Sequence, residues 1–240
     1  VQTAGNFDSG MQIVKEMAAT QGLAVVNSVN PYRLQGQKTA AFEIIDELGR
    51  APDYHCIPVG NAGNISAYWM GFSEYSGHKL PIHDIYSYEK SRVTSKRPTM
   101  LGYQASGAAP LVDNKIVENP ETIATAIRIG NPQSLELAKK ASEDSGGWFK
   151  SLTDDEILNN QKLLAQYEGI FCEPASAISV GGALADIEEG KIQEGSLVTC
   201  TLTGHGLKDP DIVIDRFNTD VVEVPAERKA VAEIIERHIS

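Results

Sequence analysis

The sequence predicts an α/β protein with a parallel (mixed-edge) open sheet flanked by helices. Short apolar runs alternate with segments of helical periodicity along the 240 residues, and this alternation is typical of parallel strands joined by crossover helices. Several of the apolar runs lead directly into polar or glycine-rich loops. Open parallel sheets bind ligands at the carboxyl ends of their strands, so these loops are the candidate functional sites.

The chain begins with a predicted helix and a short strand that ends in a polar loop. The helix, which stops at Gly22, has one apolar face that contains Phe7, Met11, Val14 and Met17. Residues 23–26 predict a buried strand, and Asn27, Ser28 and Arg33 follow it. An amide, a hydroxyl and a guanidinium can together bind an oxyanion. Taken singly, each residue is explained by a turn or by a solvated charge.

The stretch Gly60-Asn61-Ala62-Gly63-Asn64 lies between an apolar run, residues 54–59, and a helical pattern that starts at Ile65. A helix over residues 38–48 precedes this strand, loop and helix. Glycine permits a tight turn and a close approach to a ligand, and the first N–H groups of a helix have no intrahelical partner. The loop therefore predicts an anion site suited to phosphate, with a plain connecting turn as the alternative. Its spacing matches neither the dinucleotide fingerprint nor the P-loop.

The middle of the chain contains an irregular segment and then further strands and helices. Residues 76–98 predict an exposed insertion because they are polar and lack periodicity. A strand over residues 99–104 follows, and Asn119-Pro120-Glu121 predicts the start of a helix. Further helices are expected over residues 134–142 and after Thr153, which forms a capping box with Glu156.

Two features of the last third predict close packing and a second loop at a strand end. Glu173 follows a predicted strand, residues 170–172, and is interpreted as the cap of the next helix, with a pocket-lining role as the alternative. Gly181-Gly182 lies inside that helix, where glycine indicates a close contact. The strand over residues 197–202 leads to Thr203-Gly204-His205, and His205 is a candidate general base or an exposed loop residue. A final amphipathic helix covers residues 225–239.

Composition excludes several classes of function. With 21 basic and 32 acidic residues, the net charge of -11 disfavours nucleic acid and anionic membranes as partners. The chain has no apolar run of the ~20 residues that a membrane span needs. The three cysteines, Cys56, Cys172 and Cys200, lie in or beside apolar runs, which predicts reduced thiols and a cytoplasmic location. We predict no metal site.

Several motifs occur together and span nearly the whole chain. They are Asn27-Ser28-Val29-Asn30 with Arg33, Gly36-Gln37-Lys38-Thr39, Pro58-Val59-Gly60-Asn61-Ala62-Gly63-Asn64, residues 124–130, Glu173-Pro174-Ala175-Ser176-Ala177, and Thr203-Gly204-His205-Gly206-Leu207-Lys208-Asp209-Pro210. In this order they resemble the threonine synthase family, which consists of pyridoxal phosphate enzymes of the tryptophan synthase β type, or fold type II.

The resemblance implies a PLP-dependent lyase that converts O-phospho-L-homoserine and water to L-threonine and phosphate by β,γ-replacement. It implies that pyridoxal 5'-phosphate is held at its phosphate by the backbone of Gly60, Asn61, Ala62, Gly63 and Asn64 and at its ring nitrogen by Thr203. It also implies that the substrate phosphate is bound by Asn27, Ser28, Arg33 and Asn61. The phosphate that is released would assist the addition of water.

The chain departs from the family in one serious respect. The family's Schiff-base lysine lies in an S-F-K-D-R type motif that this sequence does not contain. Lys38 and Lys208 belong to other motifs and are interpreted as structural or surface charges. We therefore expect no catalytic lysine in this chain, and we expect the chain to be the C-terminal two-thirds of the enzyme, incomplete at its N-terminus and inactive alone.

The resemblance also predicts how the chain is divided into lobes and which partners it has. Residues 1–35 would be the remainder of a smaller N-terminal lobe and residues 36–240 the larger PLP-binding lobe. The partners would be the small-molecule substrate, the N-terminal part of the same enzyme and a second subunit in a homodimer. Two alternatives stay open, a serine/threonine dehydratase-like PLP lyase and a non-catalytic fragment that binds a phosphate ligand. The phosphate-binding set around Arg33 argues against the dehydratase, whose substrates carry no phosphate.

Overall fold

A computed structural model describes residues 7–27, 30–78, 93–216 and 223–239 of the chain. The chain divides into two compact units, Val1–Lys208 and Asp209–Ser240. Most of the predicted insertion, including residues 79–92, lies outside the described residues, as does Ser28 of the predicted phosphate site. In the part of the chain that the structure describes, no helix is long and apolar enough to cross a membrane.

The first unit is organised around a four-stranded sheet in the order β3-β2-β1-β4. The strands are β1 (Tyr54–Pro58), β2 (Thr99–Ala105), β3 (Trp148–Leu152) and β4 (Val198–Cys200). All three pairings are parallel, so the predicted α/β class with a parallel open sheet is confirmed. Because the strands run in the same direction, their carboxyl ends and the loops that follow lie at one edge of the sheet.

Helices cover both faces of this sheet. The described helices of the first unit are α1 (Phe7–Gln21), α2 (Pro31–Gln37), α3 (Thr39–Leu48), α4 (Gly63–Tyr75), α5 (Pro110–Asp113), α6 (Leu135–Ser145), α7 (Asp154–Glu168) and α8 (Pro174–Glu188). The second unit contains α9 (Pro210–Arg216) and α10 (Arg228–Ile239). Helices α3, α4 and α6 contribute to one buried apolar cluster, and α7 and α8 contribute to a second. The sheet therefore lies between two apolar layers.

Local sequence signals explain several helix ends. The Thr153 hydroxyl accepts a hydrogen bond from the N–H of Glu156, whose carboxylate accepts one from the N–H of Thr153, as the predicted capping box requires. Gly49 and Gly169 end α3 and α7 in the left-handed conformation, which costs glycine little because it has no Cβ.

The predicted close contact at Gly181-Gly182 is confirmed. A Cβ on Gly182 would lie 2.1 Å from the ring of Tyr103 on β2, and one on Gly181 would lie 2.5 Å from the Asn160 amide on α7. The two glycines thus let α8 approach the sheet and α7 at once, which positions the N-terminus of α8 beside the loop that follows β4.

Three local predictions were wrong. Residues 23–26 form no strand, and the side chains of Leu23 and Val26 are 54% and 77% exposed because no neighbouring strand pairs with them. The chain is irregular after Pro120, with a single 3-10 turn at Thr125–Ile127 instead of a helix. Residues 170–172 form only an isolated bridge between Cys172 and His205. The sequence interpretation also missed α2 and β3.

Candidate functional site

A cleft of about 360 Å³ lies at the carboxyl end of β1, beside the loop that follows β4. Its lining comes from five separate stretches of the chain. They supply Asn27, Arg33, Gln37, Pro58, Gly60, Asn61, Ala62, Gly63, Asn64, Ala126, Ile127, Ile129, Glu173, Thr203 and Lys208. Every described residue that the sequence interpretation assigned to a phosphate or to the cofactor ring is in this lining.

The loop between β1 and α4 is held in place by its neighbours. A Cβ on Gly60 would lie 3.0 Å from both the Ala126 carbonyl oxygen and the Ile127 Cα atom, so the backbone packs directly against the segment before Ile129. Ala62 has a left-handed φ of 65°, an uncommon conformation for a residue with a side chain. The loop is therefore a fixed turn that ends where α4 begins at Gly63.

The first turn of α4 begins in the cleft lining, which includes Gly63 and Asn64. The N–H groups at the start of a helix have no intrahelical acceptor and lie at the positive end of the helix dipole. The Asn64 side chain points back into the fold, since its Nδ2 donates to the Pro58 carbonyl at 2.6 Å and its Oδ1 accepts from the Ile65 N–H at 2.8 Å. The backbone of Asn64, and not its amide, is thus the part available to an anion.

Asn61 is oriented by the segment that precedes α6. Its Oδ1 accepts a hydrogen bond from the Gln133 N–H at 2.7 Å, and its carbonyl oxygen accepts one from the Ser134 N–H at 3.2 Å. These bonds fix which end of the amide is the acceptor, and they leave Nδ2 as the donor end of the side chain.

The loop after β4 is organised by Ser176, a residue to which the sequence interpretation gave no role. The hydroxyls of Ser176 and Thr203 are 2.9 Å apart, and the Ser176 Oγ accepts the Gly204 N–H at 2.8 Å. Ser176 lies in the first turn of α8. The hydroxyl of Thr203 is therefore positioned by a partner 27 residues earlier in the chain, a contact that local sequence patterns do not report.

Glu173 corrects a further interpretation. It is the N-cap residue of α8, but its side chain makes no capping hydrogen bond. Instead the carboxylate is buried and lines the cleft, with Oε1 3.7 Å from the Nζ of Lys208. A Cβ on Gly204 would lie 2.2 Å from Glu173 Oε1 and 2.6 Å from Lys208 Nζ, so only glycine lets both groups lie there. The pocket-lining alternative for Glu173 is thus correct.

The two lysines that were interpreted as structural or surface charges behave differently. Lys38 is buried and forms an ion pair of 2.6 Å with Glu74, away from the cleft lining. Lys208 has a side chain that is 60% exposed and reaches the cleft through Glu173.

Asn27 and Arg33, which were predicted for the second anion together with Asn61, also line the cleft. Arg33 extends from α2 and is exposed, while Asn27 is half-buried and donates from Nδ2 to the sulfur of Met11 at 3.1 Å. His205 lies outside the cleft lining; it is exposed and makes an edge contact with the ring of Phe171 at 5.4 Å between centroids. The exposed-loop interpretation of His205 is therefore confirmed.

Comparison with known proteins gives a family and close relatives. A family model described as pyridoxal-phosphate dependent enzyme matches residues 1–204. The chain is 50% identical over 234 residues to a threonine synthase of Mycobacterium tuberculosis, covering 97% of this chain and 61% of the relative. It is 47% identical over 235 residues to a threonine synthase of Bacillus sp. strain ULM1, covering 98% of this chain and 63% of the relative. The chain thus spans about three fifths of the length of these relatives.

Solved structures support the fold. A serine racemase from maize superposes with a TM-score of 0.64 at 17% identity, covering 99% of this chain and 64% of that chain. The processed form of threonine deaminase isoform 2 from Solanum lycopersicum gives a TM-score of 0.66 at 19% identity, covering 91% of this chain and 57% of that chain. At such low identity the likeness concerns the fold alone.

Proposed function

The chain belongs to the pyridoxal-phosphate-dependent enzymes, and from this premise we propose that it is the larger part of a threonine synthase. The reaction proposed is the PLP-dependent β,γ-replacement that converts O-phospho-L-homoserine and water to L-threonine and phosphate, which would make the enzyme a lyase. The observation that carries the proposal is that one cleft is lined both by the loop after β1 and by Asn27 and Arg33. We assign an anion to each of these two sets of hydrogen-bond donors. A cofactor and a substrate that both carry phosphate require two such sets.

The loop after β1 fits the phosphate of the cofactor. Its backbone is packed so closely at Gly60 that a Cβ would make tight contacts of 3.0 Å with two backbone atoms, and the first turn of α4 supplies N–H donors at the positive end of a helix dipole. Asn61, Ala62, Gly63 and Asn64 complete this set, and all of them line the cleft. The bound group would supply an electron sink for the carbanion chemistry of the substrate.

Thr203 fits the ring nitrogen of the same group. Its hydroxyl lines the cleft and lies 2.9 Å from the hydroxyl of Ser176, which keeps it in one orientation. A neutral hydroxyl can donate or accept a hydrogen bond, and it does not stabilise a proton on the nitrogen as a carboxylate would. Thr203 would therefore set the strength of the electron sink.

The substrate phosphate would be bound by Asn27, Ser28, Arg33 and the Nδ2 of Asn61. The guanidinium of Arg33 can make two parallel hydrogen bonds to a phosphate, and the exposed position of this side chain lets it reach a ligand that enters from solvent. The same group would retain the phosphate as it is released, where it can assist the addition of water.

The Schiff-base lysine would come from sequence outside these 240 residues. Among the described residues of the cleft lining, Lys208 is the one lysine, and its amino group faces the buried carboxylate of Glu173. The relatives' additional length is large enough to carry such a lysine. On this proposal the chain is inactive alone, it works with the N-terminal part of the same enzyme in a homodimer, and residues 1–35 and 36–240 belong to a smaller and a larger lobe.

The test joins this chain to the N-terminal portion of the Bacillus relative, so that the lysine motif is restored. We expect the fusion protein to form L-threonine and inorganic phosphate in equal amounts from O-phospho-L-homoserine. The 240-residue chain alone should form neither product, and borohydride reduction after incubation with pyridoxal phosphate should leave it without a pyridoxyl label.

Two results would overturn parts of the proposal. Production of ammonia and 2-oxobutanoate from L-threonine, without turnover of the phosphorylated substrate, would establish the dehydratase alternative. A pyridoxyl label on Lys208 of the isolated chain would show that the chain carries its own Schiff-base lysine.

A further inference from the structure

The strands that lead to the two loops of the cleft carry cysteines in direct register. In the parallel pairing of β1 with β4, Cys56 lies opposite Cys200. Adjacent strands are about 4.8 Å apart, and cysteines joined by a disulfide have Cα atoms about 4.4 to 6.8 Å apart. The sheet therefore holds these two residues at a separation that a disulfide can bridge without a change in strand pairing.

Their side chains lie on the same face of the sheet. Cys56 belongs to the apolar cluster beneath α8, and Cys200 packs against the same cluster. Both thiols are free, and the Cys56 Sγ lies 3.8 Å from the hydroxyl of Tyr103, which donates to Asp186. The pair is therefore a neighbouring dithiol, although its members are 144 positions apart in the sequence.

The two sulfurs differ in their acidity. The hydrogen bond with Cys200, together with burial, raises the pKa of Cys56 well above its usual range, while the same bond lowers the pKa of Cys200. The thiolate is the form that reacts with oxidants. A fully buried thiol with a raised pKa is the poorer nucleophile, so these directions agree with Cys200 as the reacting sulfur.

Access to the two sulfurs also differs. Cys56 is fully buried, whereas Cys200 is half-buried on β4, which is the edge strand of the four described strands. We propose that Cys200 and Cys56 form a peroxide-reactive dithiol, in which Cys200 is the site of oxidation and Cys56 the resolving thiol that closes a cross-strand disulfide.

The chemistry balances with a peroxide as the oxidant. The Cys200 thiolate attacks one peroxide oxygen, the O–O bond breaks, and the products are a sulfenic acid on Cys200 and hydroxide. The Cys56 sulfur then attacks the Cys200 sulfur, its proton leaves with the sulfenic hydroxyl as water, and the S–S bond forms. The two sulfurs together lose two electrons, and the peroxide is reduced to water.

Cys172 provides a matched control within the same chain. It is buried in a different cluster, with Leu164 and Ala177, and burial raises its pKa to about 11. A buried thiol with a raised pKa carries little thiolate. We therefore expect Cys200, which is half-buried on the edge strand of the described sheet, to be oxidised before Cys172.

The experiment treats the folded, reduced 240-residue chain with hydrogen peroxide and maps its peptides by mass spectrometry without reduction. We expect one intramolecular link between Cys56 and Cys200, a free thiol at Cys172, and full reversal by dithiothreitol. In Cys56→Ser, dimedone should label Cys200, because the sulfenic acid has no resolving thiol. The Cys172→Ala variant should form the same link as the unmodified chain.

Folding is checked by far-UV circular dichroism before and after oxidation. The proposal is overturned if the folded chain keeps both Cys56 and Cys200 reduced while Cys172 is oxidised. It is equally overturned if the link joins different chains, or if it forms only in denaturant. Because the map is made on the unmodified chain, a variant that fails to fold does not affect this decision.

Discussion

The two regions of the cleft that we propose as anion sites are built in opposite ways. The Gly60–Asn64 loop is buried or half-buried, its proposed donors are backbone N–H groups, and a Cβ at Gly60 would make tight contacts with neighbouring backbone. The region of Asn27 and Arg33 instead offers side chains, and Arg33 is exposed on the short helix α2. The difference indicates that the first region is preorganised for a ligand that stays, and the second is suited to a ligand that enters and leaves.

The largest effect on cofactor affinity is expected from a side chain at Gly60. Gly60→Val adds atoms where a Cβ alone would lie 3.0 Å from two backbone atoms, and overpacking of this kind costs about 1 to 3 kcal/mol or more. We expect pyridoxal phosphate to bind about a hundredfold more weakly, near the upper end of this range, because the donors of the loop must shift. Binding is measured by fluorescence titration of the fusion protein.

Gly36→Val serves as the control, because a Cβ at Gly36 meets nothing within 4 Å. It should leave cofactor affinity unchanged. Equal affinity of the Gly60 and Gly36 variants would show that the loop is only a connection between β1 and α4.

The second region is tested by removing its charge. Arg33→Ala removes charge-assisted hydrogen bonds worth about 1.5 to 3 kcal/mol, so the KM of the fusion protein for O-phospho-L-homoserine should rise about ten- to a hundredfold. Cofactor affinity should stay the same, because the loop after β1 is untouched. Steady-state kinetics give the first quantity and titration gives the second.

Arg50→Ala is the matched control, since Arg50 pairs with Asp53 on the surface and lies outside the cleft lining. Unchanged kinetics in the Arg33 variant would show that Arg33 does not bind the substrate. A loss of cofactor affinity as large as the rise in KM would show that the two regions do not bind separate ligands.

The stability of the sheet that carries the first region depends on pH through His55 on β1. The imidazole is fully buried between the hydroxyls of Thr199 and Thr201, and burial lowers its pKa to about 3. A folded-state pKa below the unfolded value of about 6.5 means that the contribution to stability is complete above pH 6.5 and is lost as pH falls towards 3. At pH 5 the loss is about 2 kcal/mol, since the unfolded chain binds a proton that the folded chain excludes.

The measurement compares urea unfolding of the 240-residue chain at pH 7.5 and pH 5. His55→Gln should reduce the fall in unfolding free energy between these pH values by about 2 kcal/mol, whatever its own cost in stability. His205→Gln, at an exposed position, should leave the fall unchanged. If the unfolding free energy fell equally in the unmodified chain, His55→Gln and His205→Gln, the pH dependence would not come from His55.

Local patterns in the sequence predicted much of the fold because they depend on near neighbours. Periodicity located α1, α3 and α4, and the capping box located the start of α7. The strand predicted over residues 23–26 failed for the opposite reason, because an apolar run becomes a strand only where another strand pairs with it. Strand β3 was not predicted for a related reason. It is half-exposed over most of its length, and its pairing with β2 is not visible in the local sequence.

The sequence by itself determined the α/β class, the loop from Gly60 to Asn64 and the family, since each rests on residues adjacent in the chain. Only the tertiary structure decided that Ser176 positions Thr203, that Glu173 lines the cleft beside Lys208, and that Cys56 lies opposite Cys200. The physical reason is that parallel strands are joined by long crossovers. Residues that meet at one edge of such a sheet are distant in sequence, and their contacts leave no local pattern.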